Sequence, residues 1–259
     1  MLAPKFWYPE NNEISFSSLA LVPFGHIYSL LSKLRMSKAV KKQFDIPIVC
    51  IGNLNAGGTG KTPTTISAAQ FLRDRKYNVH IVSRGYGGNA MGPLSVNDKE
   101  HSANDVGDEA LMLSAFAPTW VASNRSDGIQ SAIKEGADIV LLDDGFQDPS
   151  VYKDLSILTV NAKKGFGNNR CIPAGPLREK LRNGLERADV LISIGTETSQ
   201  KTFKSIYKSY INMPLGIANL EVLNTGLSLK NMKVLAFAGI AHPENFFDTL
   251  RAQGAEIVD

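Results

Sequence analysis

The stretch Pro47-Ile-Val-Cys-Ile-Gly-Asn-Leu-Asn-Ala-Gly-Gly-Thr-Gly-Lys-Thr62 decides the fold. Residues 47–51 read as a buried strand and residues 61–75 as a helix, with a glycine-rich loop between them. Glycine lets a backbone turn its N–H groups toward a phosphate, and a helix N-terminus adds a favourable dipole. The spacing follows G-x-x-x-x-G-K-[ST], with Asn55 in place of the first glycine. Asparagine tolerates left-handed backbone, so the loop is expected to form. Asn55, Ala56, Gly57, Gly58, Thr59, Gly60, Lys61 and Thr62 are therefore the candidate nucleotide-binding residues. Lys61 would reach the β- and γ-phosphates and the Thr62 hydroxyl would ligate a metal, so ATP and Mg²⁺ are the expected cofactors.

Outward from this loop, short apolar runs alternate with amphipathic stretches. Strands are expected at 78–83, 138–142, 155–160, 189–193, 233–237 and 255–258. Helices are expected at 108–116, 127–135, near 177–187, and at 243–253. This interleaving predicts an α/β fold, P-loop NTPase-like, with a mostly parallel sheet flanked by helices. The expected division is an N-terminal helical segment over 1–44, a P-loop core over 45–210 and part of a C-terminal α/β lobe over 211–259.

Four apolar residues lead into Asp143-Asp144, the form of a Walker-B strand, whose terminal carboxylate sits near the metal in P-loop enzymes. Neighbouring residues of an extended strand point to opposite faces. One aspartate is thus expected at Mg²⁺ and the other at a helix cap or the substrate side, with the assignment open.

The chain has 259 residues, 43% of them hydrophobic and 20% charged, an ordinary globular balance that excludes a fibrous or wholly disordered chain. Its net charge of +3 is too mild for nucleic-acid binding, which needs a concentrated basic face. Cys50 and Cys171 cannot build a disulfide scaffold, suit a reducing compartment and read as buried thiols. No zinc spacing surrounds them.

The charge is nevertheless uneven. Lys33, Arg35, Lys38, Lys41 and Lys42 follow an apolar run over 19–31 that contains Pro23, Gly25 and His26. That run is shorter than the ~20 residues of a membrane span, and its charges come in the wrong order for a secretory signal. An amphipathic segment lying on a membrane without crossing it is expected.

Several blocks together resemble the tetraacyldisaccharide 4'-kinase family, the lipid A kinases. They are the loop 51–63, Ser83-Arg-Gly-Tyr-Gly87, Val106-Gly-Asp-Glu109, Asp143-Asp-Gly-Phe-Gln147, Pro173-Ala-Gly-Pro-Leu-Arg-Glu179 and Phe237-Ala-Gly-Ile-Ala-His-Pro243. The resemblance runs from about Phe6 to the last residue. It implies transfer of the ATP γ-phosphoryl to the 4'-hydroxyl of a tetraacylated glucosamine disaccharide 1-phosphate, giving lipid IVA. The setting it implies is the cytoplasmic face of the bacterial inner membrane, with the chain bound peripherally and expected as a monomer.

By the same resemblance Asp108 is the catalytic carboxylate beside Lys61, working with a histidine. Thr62, Asp143 and Asp144 support the metal. Arg84, Tyr86, Arg125, Gln147, Arg178 and Glu179 match other active-site positions, Arg125 as an anion contact and Glu179 as a further metal contact. Asp108 and Glu109 also suit the first turn of a helix. His242, before a proline at a loop-to-helix junction, reads as structural.

Two departures stand out. Asp148 follows Gln147 where many family members carry histidine. The family's Pro-Asp-His-His block, source of the partner histidine, would fall beyond Asp259. The chain is thus expected to be C-terminally truncated and to transfer phosphate poorly by itself. Two other readings are a P-loop ATPase used as a nucleotide switch and an inactive nucleotide-binding fragment. The switch proteins carry an extra lysine where this chain has Ala56.

Overall fold

A computed structural model describes residues 3–9, 15–221, 228–238 and 243–258. Helix α1 (Phe16–Lys38) precedes strand β1 (Ile48–Gly52), the phosphate loop and helix α2 (Lys61–Asp74). Then come β2 (Val79–Ser83), β3 (Leu94–Ser95), α3 (Ala103–Val106), α4 (Asp108–Ser114), β4 (Thr119–Val121), α5 (Arg125–Lys134) and β5 (Ile139–Asp143). The second half holds β6 (Leu155–Asn161), α6 (Leu181–Leu185), β7 (Val190–Ile194), α7 (Glu197–Tyr207) and β8 (Leu215–Ala218). Beyond them lie β9 (Lys233–Val234), α8 (Pro243–Ala252) and β10 (Glu256–Ile257).

Eight strands form one sheet in the order β3-β4-β2-β5-β1-β6-β7-β8, and β9 and β10 pair as a separate parallel ribbon. Within the large sheet only β3 runs antiparallel. The central strands are covered on both faces, which is why they read as unbroken apolar runs rather than alternating ones. Every residue of β2 and β5 is buried. Strands β1 and β5 are neighbours in register, Ile51 beside Asp143, so the phosphate loop and the paired aspartates leave the same edge together. The largest core cluster gathers Phe146, Phe166, Leu158, Leu191 and Phe203. Cys50 is wholly buried within it, and burial pushes its thiol up to about 12.

Most expected elements form. The helix expected near 177–187 shrinks to α6, because Arg178 N–H bonds the Leu54 carbonyl (2.7 Å) and keeps the preceding chain extended. Strands β3, β4 and β8 and helices α3 and α7 lacked a sequence signal. Strands β3 and β4 and helix α3 are short, β8 falls where the pattern thins, and α7 is mostly polar apart from Phe203, Ile206 and Tyr207. The large sheet runs through β8, past the expected core boundary at 210.

Helix α1 continues through Pro23 rather than breaking there. It turns small residues, Ser18, Gly25 and Ser29, toward the protein, and leaves Phe16 84% exposed and Leu31 61% exposed. At Gly25 a Cβ would lie 2.9 Å from the Cys171 carbonyl oxygen, so only glycine lets the helix approach this closely. No helix among the described residues is long and apolar enough to cross a membrane.

Candidate functional site

The phosphate loop spans the gap between β1 and α2. Gly60 caps α2 in the left-handed region (φ 89°), where a Cβ would also collide with the Ile194 side chain. Asn53, fully buried, braces the loop from below: its Nδ2 donates to the Gly57 carbonyl (3.1 Å) and to Thr59 Oγ1 (2.9 Å). The Thr59 hydroxyl in turn meets that of Thr159 at 2.9 Å.

Asn55 holds its place for a reason other than the one expected from sequence. It is absent from the residues with positive φ, so left-handed tolerance is not what the position needs. Instead its Nδ2 donates to the Gly165 carbonyl (3.1 Å) and to the Tyr8 hydroxyl (3.3 Å). Ala56 N–H bonds the Pro176 carbonyl (2.7 Å), and Asn55 pairs antiparallel with Leu177. The loop is thereby fastened to the segment 165–178.

Lys61 and Thr62 open α2, each 9% exposed. Lys61 Nζ lies 3.8 Å from Asp144 Oδ2. The Thr62 hydroxyl makes no hydrogen bond within the described residues. One turn on, Thr65 faces the same side and donates to Asp143 Oδ1 at 3.2 Å.

The two aspartates have separate environments. Asp143, the last residue of β5, is 1% exposed. Burial, together with the nearby charges of Glu109 and Asp144, pushes its pKa up to about 6. Asp144 follows in left-handed backbone (φ 50°) and swings its carboxylate to the open side. There Arg178 Nη1 donates to both of its oxygens, at 2.9 and 3.1 Å.

Gln147 links this pair to its neighbours. Its Nε2 donates to the Asn53 carbonyl (2.8 Å) and to Glu179 (3.3 Å), while its Oε1 accepts from Arg178 (3.3 Å). Glu179 is buried, and both of its oxygens accept from Arg187 Nη2, at 2.6 and 2.8 Å; the Arg187 guanidinium also stacks over Phe146. The Glu179 carboxylate is thus paired within the protein. Arg187 carries no sequence signal for this role.

Arg125 also differs from its expected part as an anion contact. It is 5% exposed, with Nη1 donating to Asp148 (3.0 Å) and Nη2 to the main-chain oxygen of Asp144 (2.9 Å). Burial alone would raise Asp148, but two hydrogen bonds from Ser150 and the Arg125 charge outweigh it and hold its pKa low. Arg125 thus supports the backbone of Asp144 from behind.

Two loops distant in sequence meet at the site mouth. A Cβ at Gly88 would lie 2.6 Å from Gly107 N, and one at Gly107 2.5 Å from the Tyr86 carbonyl oxygen. Asn89 and Ala90 N–H groups bond the carbonyls of Asn104 and Asp105, at 3.0 and 2.8 Å. Arg84 and Tyr86 are exposed on one loop, and Asp108 and Glu109 on the first turn of α4. Glu109, read from sequence only as a first-turn acid, feels the charges of Lys61, Asp144 and Arg178. Although the residue is exposed, partial desolvation of its carboxyl is the largest effect and raises its pKa from the ordinary value. His242 and residues 239–242 of the 237–243 block lie outside the described residues.

The sequence model of the tetraacyldisaccharide-1-P 4'-kinases matches residues 17–259. The tetraacyldisaccharide 4'-kinase of Jannaschia sp. (strain CCS1) is 49% identical over 99% of this chain and 77% of its own length. That of Dinoroseobacter shibae is 45% identical over 98% of this chain and 76% of its own. In structure, the chain is similar to the "apo" form of LpxK from Aquifex aeolicus crystallised in complex with ATP. The TM-score is 0.73 at 26% identity, covering 94% of this chain and 80% of that one. With its phosphate loop, paired aspartates and Arg178 arranged around one sheet edge, this chain belongs to the tetraacyldisaccharide-1-P 4'-kinase family.

Proposed function

We propose that this chain transfers the γ-phosphoryl group of ATP to the 4'-hydroxyl of a tetraacylated glucosamine disaccharide 1-phosphate, giving lipid IVA. The observation that carries the reading is the convergence of Lys61, Asp144 and Arg178 in front of the phosphate loop. Phosphoryl transfer requires mainly positioning and neutralisation of charge on the phosphoryl oxygens. The loop N–H groups and Lys61 hold the β- and γ-phosphates, and the Arg178 guanidinium faces the charge that spreads during transfer. Asp108, exposed at the start of α4, accepts the proton of the attacking hydroxyl. The exposed Arg84 and Tyr86 border the same mouth and contact the sugar substrate.

Mg²⁺ fits the donors present. The Thr62 hydroxyl, without a partner among the described residues, and the carboxylates of Asp143 and Asp144 are hard oxygen ligands, the kind this ion prefers. When bound, the ion would neutralise charge on the β- and γ-phosphates.

The acylated substrate is met at the cytoplasmic face of the inner membrane, on α1. Phe16, Phe24, Ile27, Leu30 and Leu31 are exposed. The five cations that follow, from Lys33 to Lys42, are exposed as well and suit anionic headgroups. Together they support a peripheral attachment with α1 lying in the interface.

The test uses γ-labelled ATP and the lipid disaccharide in mixed micelles. Label recovered on the lipid supports the kinase. Label released only as inorganic phosphate replaces it with the ATPase reading, and unreacted ATP with the nucleotide-binding fragment.

A further inference from the structure

The short 3₁₀ turn Lys5–Trp7 and Tyr8 lie far from the phosphate loop in sequence, yet they end on it. Segment 163–180 forms a plate between the two. On its outer side Trp7 Nε1 donates to the Pro173 carbonyl (3.0 Å), and Asn168 N–H bonds the Trp7 carbonyl (2.9 Å). Asn168 Nδ2 donates to the Phe6 carbonyl (2.9 Å) and to Ser18 Oγ of α1 (3.1 Å). Ser18 donates to the Ala174 carbonyl at 2.7 Å. On its inner side the same plate pairs with residues 54–56 of the phosphate loop, through Pro176 and Arg178.

One contact bypasses the plate. The Tyr8 hydroxyl accepts from Asn55 Nδ2, the side chain standing where the loop pattern has its first glycine. A glycine there would have nothing to hold. Asn55 is 2% exposed, and its Oδ1 is buried without a partner, so its orientation depends on the two acceptors of Nδ2, Tyr8 and Gly165.

We propose that Tyr8 is a positioning residue for ATP, fixing the first residue of the phosphate loop through Asn55 and so tying nucleotide affinity to the seating of the N-terminal segment. The inference rests on the kinase reading above for its substrate, ATP. It gives the N-terminal segment a second task beside membrane attachment. The segment 163–180 that seats α1 through Ser18 and Asn168 also pairs with residues 54–56 of the loop that Tyr8 reaches.

The test is a double-mutant cycle on the full chain, with Tyr8→Phe and Asn55→Gly. ATP dissociation constants come from titration calorimetry, KM and kcat from the lipid kinase assay, and folding from thermal melts. Tyr8→Phe keeps the ring and removes only the acceptor. It should raise both Kd and KM for ATP about three- to tenfold, the worth of one hydrogen bond, with kcat within about twofold. In the Asn55→Gly background the same change should cost less than about twofold, because its route to the loop is gone. An unchanged Kd in Tyr8→Phe overturns the proposal. So does an equal loss in both backgrounds, or a fall in kcat at constant KM. Should the unsubstituted chain label no lipid, the kinase reading fails, and the Kd cycle still decides the role of Tyr8.

Discussion

Arg178 Nη1 donates to both carboxylate oxygens of Asp144, at 2.9 and 3.1 Å, although the residues come from opposite sides of the phosphate loop. Asp144 leaves the end of β5, and Arg178 leaves the plate that pairs with residues 54–56. The ion pair therefore closes a ring around the loop. Both side chains keep just over a quarter of their surface open, 27% for Arg178 and 29% for Asp144, so a phosphate can reach them.

Removing Arg178 tests this ring. Arg178→Ala should lower kcat/KM about ten- to a hundredfold, the range for losing one charge-stabilising donor. Arg178→Lys should recover only part of the loss, because a single ammonium cannot hold Asp144 as Nη1 does and still present a guanidinium's remaining N–H donors to a phosphate. Steady-state kinetics on both variants checks it. Full activity in Arg178→Ala would remove Arg178 from the site.

Asp144 separates charge from backbone. Its left-handed conformation (φ 50°) suits Asp and Asn but strains alanine. Asp144→Asn should melt like the unsubstituted chain while losing most of its activity. Asp144→Ala should lose activity equally and also about 1 kcal/mol of stability. Melting curves that coincide for the two variants would show that the strain is not there.

The central half of the fold was legible because β1, β2, β5, β6 and β7 are covered on both faces and so read as continuous apolar runs. The phosphate loop and Asp143-Asp144 were legible because each needs particular residues at fixed spacing from a strand. What was not legible depends on contacts between distant segments. Nothing near Glu179 in sequence announces that Arg187 takes both its oxygens, and nothing near Arg125 announces that it is buried behind Asp144. Helix α1 was harder still, since its buried positions are the small residues Ser18, Gly25 and Ser29. A helix that inverts the usual burial shows its role only once its partner surface is present.

Asp143 makes stability pH-dependent in metal-free buffer. Its folded pKa of about 6 lies above the unfolded value of 3.8, so the folded state holds the proton more tightly between those limits. The carboxyl costs nothing below pH 4. As pH rises through 6 the buried charge destabilises the fold, by up to about 3 kcal/mol. Asp143→Asn, which still accepts from Thr65, should therefore match the unsubstituted chain at pH 4 and exceed it in stability at pH 7.5. Urea melts with chelator at both pH values check this. An equal gap at the two would refute it.

The exposed face of α1 should be separable from folding. Ile27 and Leu31 are 56% and 61% exposed, so serine at both positions should change stability by less than about 0.5 kcal/mol per site. Vesicles containing anionic lipid should nonetheless retain less of the variant in co-sedimentation, because its apolar face is smaller. Equal retention would deny α1 the membrane role.

Gly107 governs how Asp108 stands beside the 83–88 loop. It ends α3 and starts α4 at φ 85°, and a Cβ there would lie 2.5 Å from the Tyr86 carbonyl oxygen. Gly107→Ala is both strained and obstructed, at a cost of about 1–3 kcal/mol. The two loops must part to admit the methyl group, and Asp108, the next residue, moves with them. The phosphate loop is held separately by Asn53, Pro176 and Tyr8, so its grip on ATP should survive. The expected signature is a kcat lowered about tenfold or more at nearly constant KM for ATP, as when a group acting only in the transition state is displaced. A rise in KM for ATP at constant kcat would place the effect of Gly107 on nucleotide binding instead, and with it the turn that carries Asp108.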